Sequence, residues 1–174
     1  WLPFLLKKMT QDVVISRKAG HAGIENGSQT GDRAPAVAMI GVAMERTAVN
    51  PVTWSQEMGF SQGEMVSGET RTLYISGQTA MSADGRPEHQ GDVAAQLTLA
   101  LDNLTAVLTE AGMSLASLVR LNVYTTDVEA LFPHYGVLAQ RLGAAGVAPT
   151  MTMLEVTRLA VPGQMVELEG TAVA

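Results

Sequence analysis

Between Asp92 and Ala111 the apolar residues Val93, Leu97, Leu101, Leu104, Leu108 and Ala111 recur at steps of three and four. At the helical period this spacing lays them along one stripe, so the segment predicts a long amphipathic helix with one face to bury. Gly112 follows as a residue able to take the left-handed conformation that ends helices. Such a helix needs an apolar surface to lie on, and the next segment offers one. In Leu118–Thr126, Val119, Leu121, Val123 and Thr125 alternate with Arg120, Asn122, Tyr124 and Thr126. A period of two predicts a strand with one face on a core and one polar face.

The other elements follow from the same two periods. Met65–Ser67 and Thr72–Ser76 predict short strands joined by a turn at Gly68-Glu69. A second helix is expected from Pro133, near its first position, to about Leu142, with Gly143 ending it. Thr150–Thr157 and Gln164–Ala172 predict two more strands linked by a turn at Val161-Pro162-Gly163, and Arg46–Asn50 offers one further strand. This order describes an α+β domain, a sheet with two helices on one face. Two helices cannot cover both faces, and the one left bare carries Arg120, Asn122 and Tyr124. A bare face that is polar but lightly charged is expected to meet a partner subunit or to share a site.

Composition narrows the chemistry. The apolar fraction of 47% suffices for a core, and no apolar run is long enough to cross a bilayer. Zero cysteines exclude disulfides, a thiol nucleophile and thiolate metal sites. Residues 1–43 carry five basic residues against three acids, a net of +2, whereas residues 44–174 carry six arginines, no lysine and fourteen acids, a net of −8. So acidic a domain repels phosphate backbones, so nucleic acid is not an expected partner. Without a lysine it forms no Schiff base and anchors no pyridoxal phosphate. His21, His89 and His134 show no metal-ligand spacing, so neither a metal nor an organic cofactor is expected. The stretch Ile24–Pro35 is rich in Gly, Ser, Asn and Asp and reads as a linker. The expectation is an N-terminal extension over 1–43, a leader or arm, and a domain over 44–174 with Met44 as its natural start. Lys7 and Lys8 follow rather than precede the first apolar stretch, so no secretory signal is expected and the cytoplasm is the default location.

Five segments in consistent order resemble the Rid (YjgF/YER057c/UK114) family. Gly59-Phe60-Ser61-Gln62 is similar to its GPYSQ-like opening, and Tyr74-Ile75-Ser76-Gly77-Gln78 to its YxSGQ strand. Asp92–Gly112, including Gln96 and Leu101-Asp102-Asn103-Leu104, resembles its first helix. Leu118–Asp127 resembles its central strand, and Pro149–Arg158 with Val166–Thr171 its final hairpin. The resemblance implies a chorismate-mutase-like fold. It also implies a homotrimer packed around the bare sheet faces, with small-molecule sites in the clefts between subunits. The implied activity is cofactor-free hydrolysis of enamine and imine intermediates such as 2-aminoacrylate.

At its site positions this chain departs from the pattern. Where the family's deaminases place an arginine that grips the substrate carboxylate, Pro149-Thr150-Met151-Thr152 places Met151. Losing such a charge-assisted contact costs about 2–5 kcal/mol of binding at a buried site. Phe60 stands for a tyrosine and His134 for an asparagine, while the glutamate credited with positioning or activating water is kept as Glu167. The expectation is an atypical member that binds a small neutral or apolar metabolite and hydrolyses it with Glu167 and water. The alternatives are an imine deaminase with a substitute anchor, Arg120 being the candidate, and a non-catalytic binding trimer.

Each candidate also has a plainer reading. Met151 is pocket wall or interface packing, Phe60 ligand stacking or interface packing, and Gly77 a close approach to ligand or a strand bulge. His134 is an anion or carbonyl contact or an exposed helix-start residue. Arg120 is an anchor or an inter-subunit ion pair. Glu167 is the water-handling carboxylate or an interface one. Glu169 is structural or at the surface.

Overall fold

The structure, a computed structural model, describes residues 43–174, so the expected leader and the Ile24–Pro35 linker lie outside it. Among the described residues six strands and four α-helices are formed: β1 (Glu45–Val49), α1 (Trp54–Glu57), β2 (Gly63–Ser67), β3 (Thr72–Gln78), α2 (Val93–Glu110), β4 (Leu118–Thr125), α3 (Val128–Leu131), α4 (Gly136–Ala144), β5 (Thr150–Glu155) and β6 (Val166–Val173). Strands β3, β6, β4 and β5 form a four-stranded sheet in that order, and β1 and β2 form a separate antiparallel pair.

Helix α2 forms as its stripe requires. Asp92 caps it by accepting from the Ala95 amide at 3.0 Å. Gly112, at φ +68°, closes it, with the Met113 amide returning to the Leu108 carbonyl at 2.8 Å. Leu97, Leu101, Leu104 and Leu108 are fully buried, as are Leu121, Val123, Leu168 and Ala172 of the sheet, and the helix packs on β6 and β3. The second helical run differs from the expectation. It begins at Val128, where Asp127 caps α3 through the Ala130 amide at 2.9 Å. Pro133 falls inside a 3₁₀ turn over Phe132–His134. Proline lacks an N–H and clashes with an α-helical carbonyl behind it, so the run tightens there and resumes as α4. Gly143 is helical, and the stop comes at Gly146, at φ +69°.

Sheet pairing corrects three further expectations. β2 and β3 are not a hairpin. Gly68, at φ +74°, turns the chain away, and β3 pairs with β6 while β2 pairs with β1. β5 and β6 are not a hairpin either. They flank β4, β5 parallel to it and β6 antiparallel. Along β4 the alternation slips at Val119: Leu118 pairs with Ala172 and Arg120 with Thr171, so a bulge leaves Val119 unpaired and buries Leu118 instead.

Two side-chain amides, on the buried Gln96 and the half-buried Asn103, fix the ends of the strands that carry candidate residues. Gln96 donates to the His89 and Gly163 carbonyls at 3.0 and 2.9 Å and accepts from the Met165 amide at 2.7 Å, which holds the start of β6. Asn103 donates to the carbonyls of Thr79 and Met81, both at 2.9 Å, which holds the exit of β3.

Candidate functional site

Strand parity sorts the candidate residues. In the parallel β4–β5 pair Leu121 is level with Met151 and Val123 with Met153, so both methionines share the face of the buried core. In the β4–β6 pair Tyr124 is level with Glu167 and Asn122 with Glu169, so both carboxylates lie on the bare face. Met151 and Glu167 therefore stand on opposite faces of one sheet.

On the core side, at the free edge of β5, Met58, Phe60, Phe132, Tyr135, Met151 and Met153 line a half-open cavity of about 150 Å³. The Ser61 amide bonds to the Pro149 carbonyl at 3.2 Å, and this bridge sets Phe60 beside the start of β5. Trp54 meets the Phe60 ring edge-on at 5.6 Å between centroids. The Tyr135 hydroxyl donates to the Met58 carbonyl at 3.1 Å and lies 3.6 Å from the Met151 sulfur. The Phe132 ring stacks on that of Tyr135. Burial pushes the Tyr135 hydroxyl up to about 12, so the phenol is neutral at ordinary pH. Among the described residues no charged side chain lines this cavity.

On the bare face, β3 bulges between Ile75 and Gln78. There the Glu167 carboxylate occupies the space a side chain at Gly77 would need, since a Cβ would lie 1.7 Å from its Oε1. Gly77 is required for room, not for a left-handed backbone. Tyr124 donates to the Glu169 carboxylate at 2.9 Å, and this bond is the largest cause of a raised Tyr124 pKa. Asn122 Oδ1 is buried with no partner among the described residues. Arg120 is exposed, and among the described residues no carboxylate pairs with it.

The candidates therefore fall into two groups, Phe60 with Met151 in the cavity, and Glu167, Gly77 and Arg120 on the bare face. His134 joins neither. It is half-buried and ends the 3₁₀ turn, inside a helical run rather than at a helix start. Arg158 has no ion-pair partner among the described residues, and Glu155 accepts from the Val128 amide at 2.9 Å. Sequence reasoning missed Tyr135, Phe132, Met58 and Met153. The three-residue step from Phe132 to Tyr135 was the available signal, hidden because the helix was started at Pro133. Among the described residues no cluster of His, Cys, Asp and Glu has the arrangement of a metal site, and no helix is long and apolar enough to cross a membrane.

Comparison with known proteins bears on the family and the fold. The family model described as Endoribonuclease L-PSP matches residues 54–174. The RutC family protein YjgH of Escherichia coli K12 is 31% identical over 117 residues, 67% of this chain and 88% of that protein. The crystal structure of a conserved Rid family protein, YyfB from Yersinia pestis, superposes with a TM-score of 0.65 at 30% identity, covering 74% of this chain and 98% of that one. Rv2704 of Mycobacterium tuberculosis, of the YjgF/YER057c/UK114 family, superposes with a TM-score of 0.50 at 31% identity, covering 75% of this chain and all of that one, 100%. The fold, the order of its motifs and these matches agree: the chain belongs to the Rid (YjgF/YER057c/UK114) family.

Proposed function

We propose that the protein is an atypical Rid-family homotrimer that binds a small neutral or apolar metabolite and hydrolyses it with a water held by Glu167. One observation carries the ligand class: the cavity containing Met151 is walled by thioethers and aromatic rings and, among the described residues, has no cation to hold a carboxylate. An anion moved into such a wall loses its hydration without a partner, whereas a neutral molecule gains from the burial. The carboxylate lies on the other face of the sheet, so a complete site requires two copies, one giving the cavity and its neighbour giving Glu167 seated on Gly77. A carboxylate closed into such a cleft can act as general base toward water.

Arg120 favours a second reading. It shares the Glu167 face and is exposed without an ion-pair partner among the described residues, so it is free to hold a substrate carboxylate and restore imine deamination. The ribonuclease named in the matching family model is disfavoured, because Glu167 and Glu169 repel a phosphate backbone.

The test generates 2-iminobutanoate in situ with a pyridoxal-dependent dehydratase and follows release of the 2-oxo acid. Wild type is expected to leave hydrolysis at its background rate, and Met151→Arg to raise it. If wild type accelerates release and Glu167→Ala abolishes that, the neutral-ligand reading fails in favour of the deaminase. The particle is expected near three times the 18.4 kDa chain mass. A monomer at micromolar concentration removes the shared site.

A further inference from the structure

Two features take no part in the site described above, the bulge at Val119 and the guanidinium of Arg46, and they meet where the two walls of the cavity are held. Met58 and Phe60 come from the connection between β1 and β2, whereas Phe132, Tyr135, Met151 and Met153 come from the rest of the domain. Strands β1 and β2 pair with each other and not with the four-stranded sheet, so no ladder places this ribbon on the domain. Among the described residues three hydrogen-bonded ties do. Two lie at the cavity and are neutral: the Ser61 amide donates to the Pro149 carbonyl at 3.2 Å, and the Tyr135 hydroxyl to the Met58 carbonyl at 3.1 Å. The third is Arg46 of β1, outside the cavity lining, whose Nη1 and Nη2 donate to the carbonyls of Ala116 and Leu118, both at 2.6 Å. A cationic donor makes such bonds about twice as strong as neutral ones.

The bulge makes this tie a ruler. The Val119 carbonyl, next along the chain from that of Leu118, accepts from the Thr150 hydroxyl at 2.8 Å. Adjacent carbonyls of one bulge therefore hold the ribbon, through Arg46, and the first residue of β5, through Thr150 beside Met151. We propose that Arg46 is the positioning residue of the cavity: by holding the bulge it sets the Met58–Phe60 wall against the Met151 wall. Its Nε donates to Glu64 at 2.6 Å, on the same face of the ribbon. The other Glu64 oxygen is buried without a partner among the described residues, so the guanidinium is the counter-charge this carboxylate requires. Three bonds from three nitrogens need the planar fork of an arginine, since a lysine has one nitrogen on a flexible stem. With the tie intact the wall stands ready, and a ligand binds without first having to close it. That last consequence rests on the reading that the cavity is the binding site, whereas the tie itself does not.

The experiment is NMR of the full chain, wild type beside Arg46→Lys, with toluene as the probe. Without toluene, cross-relaxation between the Tyr135 ring and Met58 spans the two walls. It is expected to weaken in Arg46→Lys, while that between the Trp54 and Phe60 rings, inside the ribbon, is kept. A residue that only added overall stability would leave both unchanged in the folded variant. With toluene, the dissociation constant is expected to rise about tenfold in Arg46→Lys, the effect of losing one charge-assisted bond from the binding-competent state. Coupling is reciprocal, so saturating wild type with toluene is expected to slow exchange of the Arg46 Nε–H with water, a comparison that needs no variant to fold. A Tyr135–Met58 contact retained in Arg46→Lys, a dissociation constant equal to that of wild type, or an Arg46 exchange rate indifferent to bound toluene overturns the proposal. If wild type binds no toluene, the neutral-ligand reading fails, and the Tyr135–Met58 contact alone decides the role of Arg46.

Discussion

On the helix side of the sheet, Leu121, Val123, Leu168 and Ala172 are all 0% exposed, whereas across the same sheet Tyr74 is 80% and Leu154 51% exposed. The helix side is finished within one copy: leucines of α2 fill it, and what remains open at its edge is a small apolar cavity. The bare side is not finished. Among the described residues it holds a buried oxygen on Asn122 without a partner, an arginine without a carboxylate, and two carboxylates drawn up against Gly77 and Tyr124. Groups of this kind are costly to bury alone and useful to share, which is why the proposed site joins one copy's cavity to another's polar face.

The largest expected effect comes from the polar side. In Gly77→Ala the new Cβ would stand 1.7 Å from Glu167 Oε1 and 2.6 Å from its Cδ, so the carboxylate must swing away. The obstructed atoms end a flexible side chain, so the fold survives and its thermal midpoint hardly moves. Catalytic misplacement of this size costs about a hundredfold in rate. In a Met151→Arg background the added Gly77→Ala is expected to lower 2-iminobutanoate hydrolysis by that factor with little change in KM. A variant that keeps its rate would show that the Glu167 position is immaterial and that the two sides do not cooperate.

A smaller effect tests the cavity side. The Tyr135 hydroxyl titrates at about 12 in the folded chain against an ordinary value of 10.0. A raised folded pKa means that the unfolded chain releases this proton first. The stabilisation is therefore fully present below the unfolded value and is lost as the pH rises from there through the folded one. Across that window the loss is on the order of 2–3 kcal/mol. Denaturant midpoints measured in the lower and upper parts of the window should fall steeply in wild type and less so in Tyr135→Phe. Equal slopes would mean that the phenol meets water and that the cavity is not dry.

Legibility in the sequence followed the same division. The α2 stripe and the β4 alternation were readable because each periodicity encodes a buried face, and both buried faces form inside one chain. The bulge at Val119 was not, since a one-residue slip depends on pairing with β6 and leaves no trace in β4 itself. Both hairpin expectations failed for a related reason: a turn such as Val161-Pro162-Gly163 shows that the chain reverses, not which strand it rejoins. Glu167 and Gly77 were legible only as resemblance, and their contact needed the register of β3 on β6. Tyr135 was missed through a misplaced helix start, because Pro133 was taken as a boundary when a 3₁₀ turn absorbs it.

A last effect, small in a lone chain, separates one copy from an assembly. Tyr124 and Glu169 share a hydrogen bond at 2.9 Å on the bare face. In a lone chain water competes for both groups, so Tyr124→Phe should cost no more than about 1 kcal/mol. If copies pack on this face, the bond is dried, and removing its donor leaves the Glu169 carboxylate facing a neighbour without a partner. The cost then rises to roughly 2–5 kcal/mol and appears in dissociation rather than in unfolding of the subunit. Sedimentation at falling concentration distinguishes the two. A variant that dissociates at higher concentration than wild type puts Tyr124 in the contact between copies. A variant that assembles as wild type does would place that contact elsewhere, and with it the cleft in which Met151 and Glu167 are proposed to meet.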